Sequence, residues 1–161
     1  MRDDSGVPEP IEFRPQPAGE PPASELIAAM VAELVDLYGP VDDTDRFPSA
    51  TPQELGPPHG VCIVGFDGAE PVCAGAVKRF EPGVGEIKRM YVAPAGRSRG
   101  LARLLLGALE DAARDLGYSR VRLDTGPRQP HARTLYLSAG YTEIGNYNEN
   151  PAASFWGEKE L

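Results

Sequence analysis

The sequence has no apolar run long enough to cross a membrane, only two cysteines and two histidines, and no excess of basic residues. A membrane-spanning helix needs about 20 consecutive apolar residues, so we expect no membrane partner. The first 15 residues, MRDDSGVPEPIEFRP, lack the apolar core of a secretory signal peptide. These absences predict a cytoplasmic protein.

The charge balance excludes a second class of partner. Lysine and arginine number 16 against 24 aspartates and glutamates, which gives a formal net charge of −8. Proteins that bind nucleic acid contact phosphates with a basic face, so we expect no nucleic-acid partner. The negative charge weakly favours a cationic substrate such as an amine.

The scarcity of cysteine and histidine leaves little for metal or thiol chemistry. Cys62 and Cys73 stand in apolar, strand-like contexts without a CxxC motif, so we interpret them as reduced core thiols. His59 is expected in a loop and His131 on a helix surface, rather than as catalytic bases. No metal-ligand spacing is present, and no metal is predicted.

The length of 161 residues predicts one domain spanning residues 1–161, with residues 1–22 as a proline- and acid-rich N-terminal segment. Within that segment, residues 11–14 are the one strand-like fragment and are expected at a sheet edge. A helix capped by Ser24 should follow. The capping box Thr51–Glu54 then predicts a short helix that ends at Gly56.

The second half of the chain predicts a mixed sheet. Residues 61–66 and 72–80 form a hairpin pattern around the turn Asp67-Gly68. A strand at residues 120–124 follows a helix and should run parallel to the strand that begins at Glu86. A helix opened by Pro130 and a last antiparallel pair, at residues 141–144 and 154–161, complete the α/β pattern.

One stretch, residues 86–116, organises the rest: EIKRMYVAPAGRSRGLARLLLGALEDAARDL. Residues 86–92 alternate polar and apolar side chains, which predicts a strand. A helical face then begins, and its members are Leu101, Leu104, Leu105, Ala108, Leu109, Ala112 and Leu116. Gly117 stands where a helix-terminating glycine is expected.

Three arginines surround the start of this helix. Arg97, Arg99 and Arg103 lie where the helix dipole is already positive, so each adds unfavourable charge. A bound anion, held by backbone N–H groups and the arginines, would compensate for them. The alternative is a solvated basic cluster with distant acidic partners.

The same residues carry a family resemblance. The run Val92-x-Pro94-x-x-Arg97-x-x-Gly100-x-Ala102 resembles the acetyl-CoA signature of the GNAT superfamily of N-acetyltransferases. A later Leu135-Tyr136 and Gly140-Tyr141 strengthen the resemblance, which covers approximately residues 61–161.

The resemblance implies a fold and an activity. The fold would be a mixed, mostly antiparallel sheet of six to seven strands, flanked by about four helices, with a splayed central parallel pair. The activity would be transfer of the acetyl group of acetyl-CoA directly to a primary amine of a small molecule or protein. A non-catalytic acyl-CoA-binding or regulatory module of the same fold is the alternative. No GxxxxGK[ST] motif is present, which disfavours other phosphate-binding transferases.

The resemblance also implies the residues that hold acetyl-CoA. The pantetheine arm would pair with the backbone of the central strand, and the diphosphate would lie on the N–H groups of the loop, where a side chain at Gly100 would block it. Gln129 replaces an asparagine that contacts the cofactor in many members. The implied cofactor residues are Met90, Tyr91, Val92, Arg97, Ser98, Arg99, Gly100, Leu101, Ala102 and Gln129.

By the same resemblance, Glu86 would be a general base that acts through water and Tyr136 the general acid for the leaving thiolate. A backbone N–H near Tyr91 or Val92 would stabilise the developing oxyanion. Glu86 could instead be an ordinary strand residue, and Tyr136 a core aromatic. The acidic residues that could border the acceptor site are Asp42, Asp43 and Asp45.

A homodimer is also predicted, on the assumption that the last strand, residues 154–161, is an exposed sheet edge that could pair with a second copy.

Overall fold

The computed structural model describes residues 10–39 and 50–161, and Asp42, Asp43 and Asp45 lie outside them. The described strands are β1 Glu12–Pro15, β2 Val61–Asp67, β3 Glu70–Glu81, β4 Val84–Val92, β5 Arg120–Thr125, β6 Thr142–Glu143 and β7 Phe155–Glu160. The α-helices are α1 Ala23–Tyr38, α2 Leu101–Asp115 and α3 Pro130–Ser138, and a 3₁₀ turn, Pro94–Gly96, precedes α2.

All seven strands belong to one sheet, in the order β1-β2-β3-β4-β5-β7-β6. Every neighbouring pair is antiparallel except β4 and β5, which run parallel and are joined through α2. A parallel pair needs a crossover connection, and the amphipathic α2 provides it. The mixed sheet with a central parallel pair is therefore confirmed, as is the edge position of β1.

Two clusters of buried side chains lie on opposite faces of the sheet, because neighbouring strand residues alternate between them. The first cluster contains Ile63, Ile87 and the buried face of α2. The second contains Val64, Tyr91 and the buried residues of α1. We refer to these as the α2 face and the α1 face of the sheet.

Helix α2 anchors the α2 face through leucines that are almost fully buried. Leu105, Leu106 and Leu109 are each exposed by 1% or less, and burying each contributes about 1.5–3 kcal/mol. The predicted apolar face was wrong at one position, since Leu104 is 52% exposed and Leu106 takes the buried place.

Two predicted helix starts differ from the structure. Helix α1 begins at Ala23 with Pro22 in the cap position and no side-chain cap, so Ser24 is not its N-cap. The capping box does form, because the Glu54 N–H donates to Thr51 Oγ1 at 3.2 Å and the Thr51 N–H donates to Glu54 Oε1 at 3.3 Å. The segment nevertheless forms only turns, so the described residues contain three α-helices rather than about four.

The last strand is not a sheet edge. Strand β7 pairs with β5 on one side and with β6 on the other, and Phe155 is fully buried. The premise of the homodimer prediction was therefore wrong. Two-residue β6, not β7, forms that edge of the sheet.

The cysteines and histidines lie where the sequence predicts. Cys62 and Cys73 are buried free thiols, and burial raises the pKa of each to about 11. Such thiols stay protonated at neutral pH and are poor nucleophiles. His59 and His131 are exposed, the first in a turn and the second on α3. Within residues 10–39 and 50–161, no group of three His, Cys, Asp or Glu is placed to hold a metal, and no helix has the length and apolarity to cross a membrane.

The packing of α2 predicts a large difference between two of its leucines. Leu109→Ala leaves a cavity beneath the sheet and should lower the free energy of unfolding by about 2–5 kcal/mol. The matched control, Leu104→Ala, should change it by about 0.5 kcal/mol or less, because that side chain is half exposed. Urea unfolding measures both. Similar losses for the two variants would contradict the placement of α2.

Candidate active site

The candidate site is a gap in the middle of the sheet. Strands β4 and β5 pair only through Val84–Arg120, Gly85–Val121 and Glu86–Arg122. Beyond Glu86 the two strands separate. The predicted splayed pair is thus present, and its apex lies at Glu86.

A bulge in β4 accompanies the separation. The β3–β4 register shifts by one residue between Ala74–Tyr91 and Ala76–Lys88, and Arg89 inside it has a φ of 60°. A non-glycine residue with this backbone conformation costs roughly 1–3 kcal/mol and persists only where its surroundings impose it. A bulge bends its strand, so it turns the second half of β4 away from β5.

The bent half of β4 exposes a backbone edge toward the gap. Tyr91 and Val92 pair with β3 on one side, Met90 lies in the bulge, and no described strand pairs with any of the three on the β5 side. Their peptide groups on that side can therefore form sheet-like hydrogen bonds with an extended chain that contains amides. Pantetheine is such a chain.

The loop after β4 has the geometry of an anion site. Ser98 and Gly100 adopt left-handed conformations, with φ of 63° and 73°. Within the described residues, the N–H groups of Ser98, Arg99 and Gly100 donate to no protein acceptor. Gly100 caps α2, whose first-turn N–H groups also lack intrahelical partners. A Cβ built on Gly100 would meet no protein atom within 4 Å, so the space above it is open to a ligand. These features fit a diphosphate.

The side chains of the helix start are already engaged. Arg97 forms an ion pair with Glu33 of α1 at 2.6 Å and donates from Nε to the Val92 carbonyl at 3.0 Å. Arg99 pairs with Asp67 at 3.1 Å. Arg103 hydrogen-bonds Ser138. The charges of Arg97 and Arg99 are thus balanced by acidic residues distant in sequence. This agrees with the alternative interpretation of the arginines, a solvated basic cluster with distant acidic partners.

The remaining loop residues have unequal surroundings. The Leu101 side chain is buried in the α2-face core, so only its backbone can reach a ligand, while Ala102 is half-buried. Gln129 precedes α3 and makes no helix cap. Its Oε1 accepts from Tyr38, Thr125 and the Gly126 N–H, each at 3.4 Å.

Glu86 is a buried carboxylate at the apex of the gap, with 3% exposure. Its neighbour Ile87 packs in the α2-face core, so Glu86 lies on the α1 face. Its Oε2 accepts a hydrogen bond from the Tyr147 hydroxyl at 2.7 Å and one from Asn148 Nδ2 at 3.1 Å. Lys88 Nζ lies 3.4 Å from Oε1. A buried charge without such partners would be costly.

Tyr136 lies on the other face. Its ring packs in the α2-face core beside Tyr141 and Phe155. Its hydroxyl donates across to Met90 Sδ on β4 at 3.7 Å. Burial, followed by the charge of Asp124, raises the pKa of Tyr136 above its usual value. The Tyr136 phenol therefore stays protonated at neutral pH and can donate a proton. Its ring is at the same time a core aromatic.

Three site residues were missed by the sequence analysis. Asp124 is on β5, two residues beyond the last β4 pairing, and its Oδ2 accepts from Asn148 Nδ2 at 2.6 Å and from Asn150 Nδ2 at 3.1 Å. Asn148 thus bridges Asp124 and Glu86. Tyr147 lies beside Asn148 in the loop between β6 and β7. The one feature of the sequence that could have indicated a site residue in this loop is an aromatic residue within the run Asn146–Asn150.

Comparison with known proteins identifies the class. Residues 27–141 match the model of the acetyltransferase (GNAT) family. The chain is 31% identical over 148 residues to the IAA acetyltransferase of Azospirillum brasilense, covering 89% of this chain and 96% of the relative. A Klebsiella pneumoniae structure provisionally assigned as an acyl-CoA N-acyltransferase superposes with a TM-score of 0.75 and 28% identity, over 94% of this chain and 97% of that one.

A GNAT acetyltransferase from Elizabethkingia anophelis, solved with acetyl-CoA bound, has the same fold with a TM-score of 0.66 and 18% identity, over 94% of this chain and 98% of that one. The chain belongs to the GNAT acetyltransferase family. It is an acetyl-CoA-dependent acyltransferase, which decides against the non-catalytic module.

The unpaired N–H groups of the loop after β4 lead to a prediction at Gly100. Gly100→Ala places a methyl group in the open space above the loop, so it should raise the dissociation constant of acetyl-CoA about tenfold or more, as for the loss of one charge-assisted hydrogen bond. Calorimetric titration with acetyl-CoA measures this.

Gly117→Ala is the matched control. Gly117 also has a positive φ, 92°, and open space for a Cβ, but it lies at the opposite end of α2. Both alanines should cost about 1–2 kcal/mol in backbone strain, while only the first should weaken binding. Equal affinity for the two variants would remove the loop from the cofactor site.

Proposed function

We propose that this protein transfers the acetyl group of acetyl-CoA directly to the primary amine of a small, positively charged molecule. One observation carries the proposal: a buried carboxylate, Glu86, and a buried phenol, Tyr136, flank the same gap from opposite faces of the sheet. A base on one side and an acid on the other suit a reaction in which the amine arrives from one face and the thiol leaves toward the other.

Acetyl-CoA supplies the acyl carbon that the amine attacks and a thiolate as the leaving group. The open edge of Met90–Val92 would hold its pantetheine arm, and the N–H groups of Arg97–Ala102 its diphosphate. The Arg97 side chain, held by Glu33 and the Val92 carbonyl, would fix the loop against β4. A backbone N–H of Tyr91 or Val92 would donate to the carbonyl oxygen as charge develops there.

Glu86 acts as the general base. An amine is mostly protonated at neutral pH and must lose a proton before it can attack. Because Glu86 is covered by Tyr147 and Asn148, it receives that proton through a water molecule. Tyr136 then donates its phenolic hydrogen to the sulfur. Its hydroxyl already reaches a sulfur atom, Met90 Sδ, on the open half of β4, and its raised pKa keeps it protonated.

The α1 face favours a cationic acceptor of small size. Glu86 and Asp124 place two carboxylates beside the apex, joined by Asn148, and an ammonium group would be attracted to them. The loop that carries Tyr147 and Asn148 covers this face, which suits a slender amine better than a folded protein surface. The Azospirillum relative is named for IAA, so IAA belongs in any acceptor screen.

The acceptor class is tested by thiol release. Purified protein with acetyl-CoA should release CoA thiol with short mono- and diamines and give the N-acetylated amine by mass spectrometry. A panel that also contains IAA and lysine-bearing peptides separates the possibilities. Turnover confined to peptides or to IAA would contradict a small cationic amine as acceptor.

The two catalytic roles predict distinct kinetic losses. Tyr136→Phe removes one hydroxyl and should lower kcat by about a hundredfold or more, with the affinity for acetyl-CoA little changed. Glu86→Gln should also lower kcat, and its loss should shrink at high pH, where free amine forms without a base. Because the pKa of Tyr136 is raised, the Tyr136 hydroxyl of the wild type should stay protonated from neutral pH up to the high pH at which the free amine forms.

Steady-state rates per folded molecule decide between these roles and structural ones. A structural Tyr136 would lose about 1 kcal/mol of stability for its hydrogen bond and keep its kcat. A Glu86→Gln loss that is the same at every pH would remove Glu86 as the base.

A further inference from the structure

The loop between β6 and β7 makes its closest contact with Glu86 through Tyr147. The Tyr147 hydroxyl donates to Glu86 Oε2 at 2.7 Å, and Asn148 Nδ2 donates to the same oxygen at 3.1 Å. The other oxygen, Oε1, faces Lys88 Nζ at 3.4 Å and keeps a second lone pair for a further donor such as water. The carboxylate plane is thereby fixed.

The Tyr147 ring is held by two strands. It meets Phe80 of β3 edge-on, with ring centroids 5.1 Å apart at 85°. The Arg122 guanidinium of β5 lies 5.4 Å from the Tyr147 ring and 5.3 Å from the Phe80 ring, and its Nε donates to Glu158 at 2.7 Å. A hydroxyl on a ring packed this way points in one direction.

The phenol is the donor in its hydrogen bond to Glu86. Burial and the adjacent Glu86 carboxylate raise the pKa of Tyr147 above its usual value, so the hydroxyl is protonated at neutral pH. Its neighbour Glu86 then receives a charge-assisted hydrogen bond, the stronger kind.

We propose that Tyr147 is a positioning residue for the acyl transfer, which aims Glu86 by fixing Oε2 and leaving Oε1 to take the proton of the amine through water. The proposal rests on the proposed function, in which Glu86 is the general base. General-base catalysis through water needs the accepting oxygen at a set position, and a carboxylate free to rotate would offer it only part of the time.

The chain contains a matched control on the other face of the sheet. Tyr141 donates to the buried Glu110 at 2.8 Å, and Lys159 Nζ lies 3.1 Å from the same carboxylate. This trio reproduces the tyrosine, glutamate and lysine chemistry of Tyr147, Glu86 and Lys88, but its glutamate is on α2, away from the apex of the gap.

The experiment compares Tyr147→Phe, Glu86→Gln, the double variant and Tyr141→Phe, with an amine that the wild type accepts. Tyr147→Phe keeps the ring contacts and should lower kcat about tenfold or more, with unchanged affinity for acetyl-CoA by calorimetry. In the Glu86→Gln background the same change should have no further effect on kcat, because the hydroxyl then has no base to aim. Tyr141→Phe should keep the wild-type kcat.

Urea unfolding of the wild type and these four variants, without any ligand, gives a second readout. Tyr147 and Glu86 should show a non-additive effect on stability, and Tyr141→Phe should lose about as much stability as Tyr147→Phe.

Three results would overturn the role of Tyr147 and leave the base assignment standing: wild-type kcat in folded Tyr147→Phe, an equal loss in the Glu86→Gln background, or the same kcat loss in Tyr141→Phe. Wild-type kcat in Glu86→Gln would defeat the base assignment itself and the role of Tyr147 with it. A reduced kcat in Glu86→Gln beside a normal one in Tyr147→Phe would defeat only the role of Tyr147.

Discussion

The separation of β4 from β5 after Glu86 is the constraint on which the site depends. Pairing through three residues joins the two strands at one end, and the bulge at Arg89 bends β4 away from β5. The strain yields an open strand edge inside a sheet, where such edges are ordinarily paired.

The gap also divides the chemistry between two faces. On β4, Ile87 packs under α2 while Glu86 turns to the α1 face; on β5, Leu123 packs under α2 while Asp124 turns the same way as Glu86. Tyr136 reaches the gap from the α2 side. In the proposed mechanism, the sheet itself keeps base and acid apart, so that neither neutralises the other. The base acts on the amine and the acid on the leaving thiolate.

The parts of the fold that were predicted from sequence are those with a local cause. Period-two and period-3.6 patterns define β2, β3, β4 and α2, and the loop signature locates the family. The position of β7, the Glu33 partner of Arg97 and the Tyr147 contact with Glu86 were not predicted. Each depends on residues 30 to 64 positions apart that meet only after the sheet forms. A polar loop such as residues 144–154 carries no periodicity that could reveal its fold.

Amide hydrogen exchange tests whether the open edge of β4 binds the pantetheine arm of acetyl-CoA. Exchange should be measured with and without acetyl-CoA, and with no amine present. We expect slower exchange in residues 90–92 and 98–102 when acetyl-CoA is bound, because N–H groups there gain acceptors, and little change in β1 and β2. Protection confined to other segments, with unchanged exchange across residues 90–92, would contradict binding at this edge.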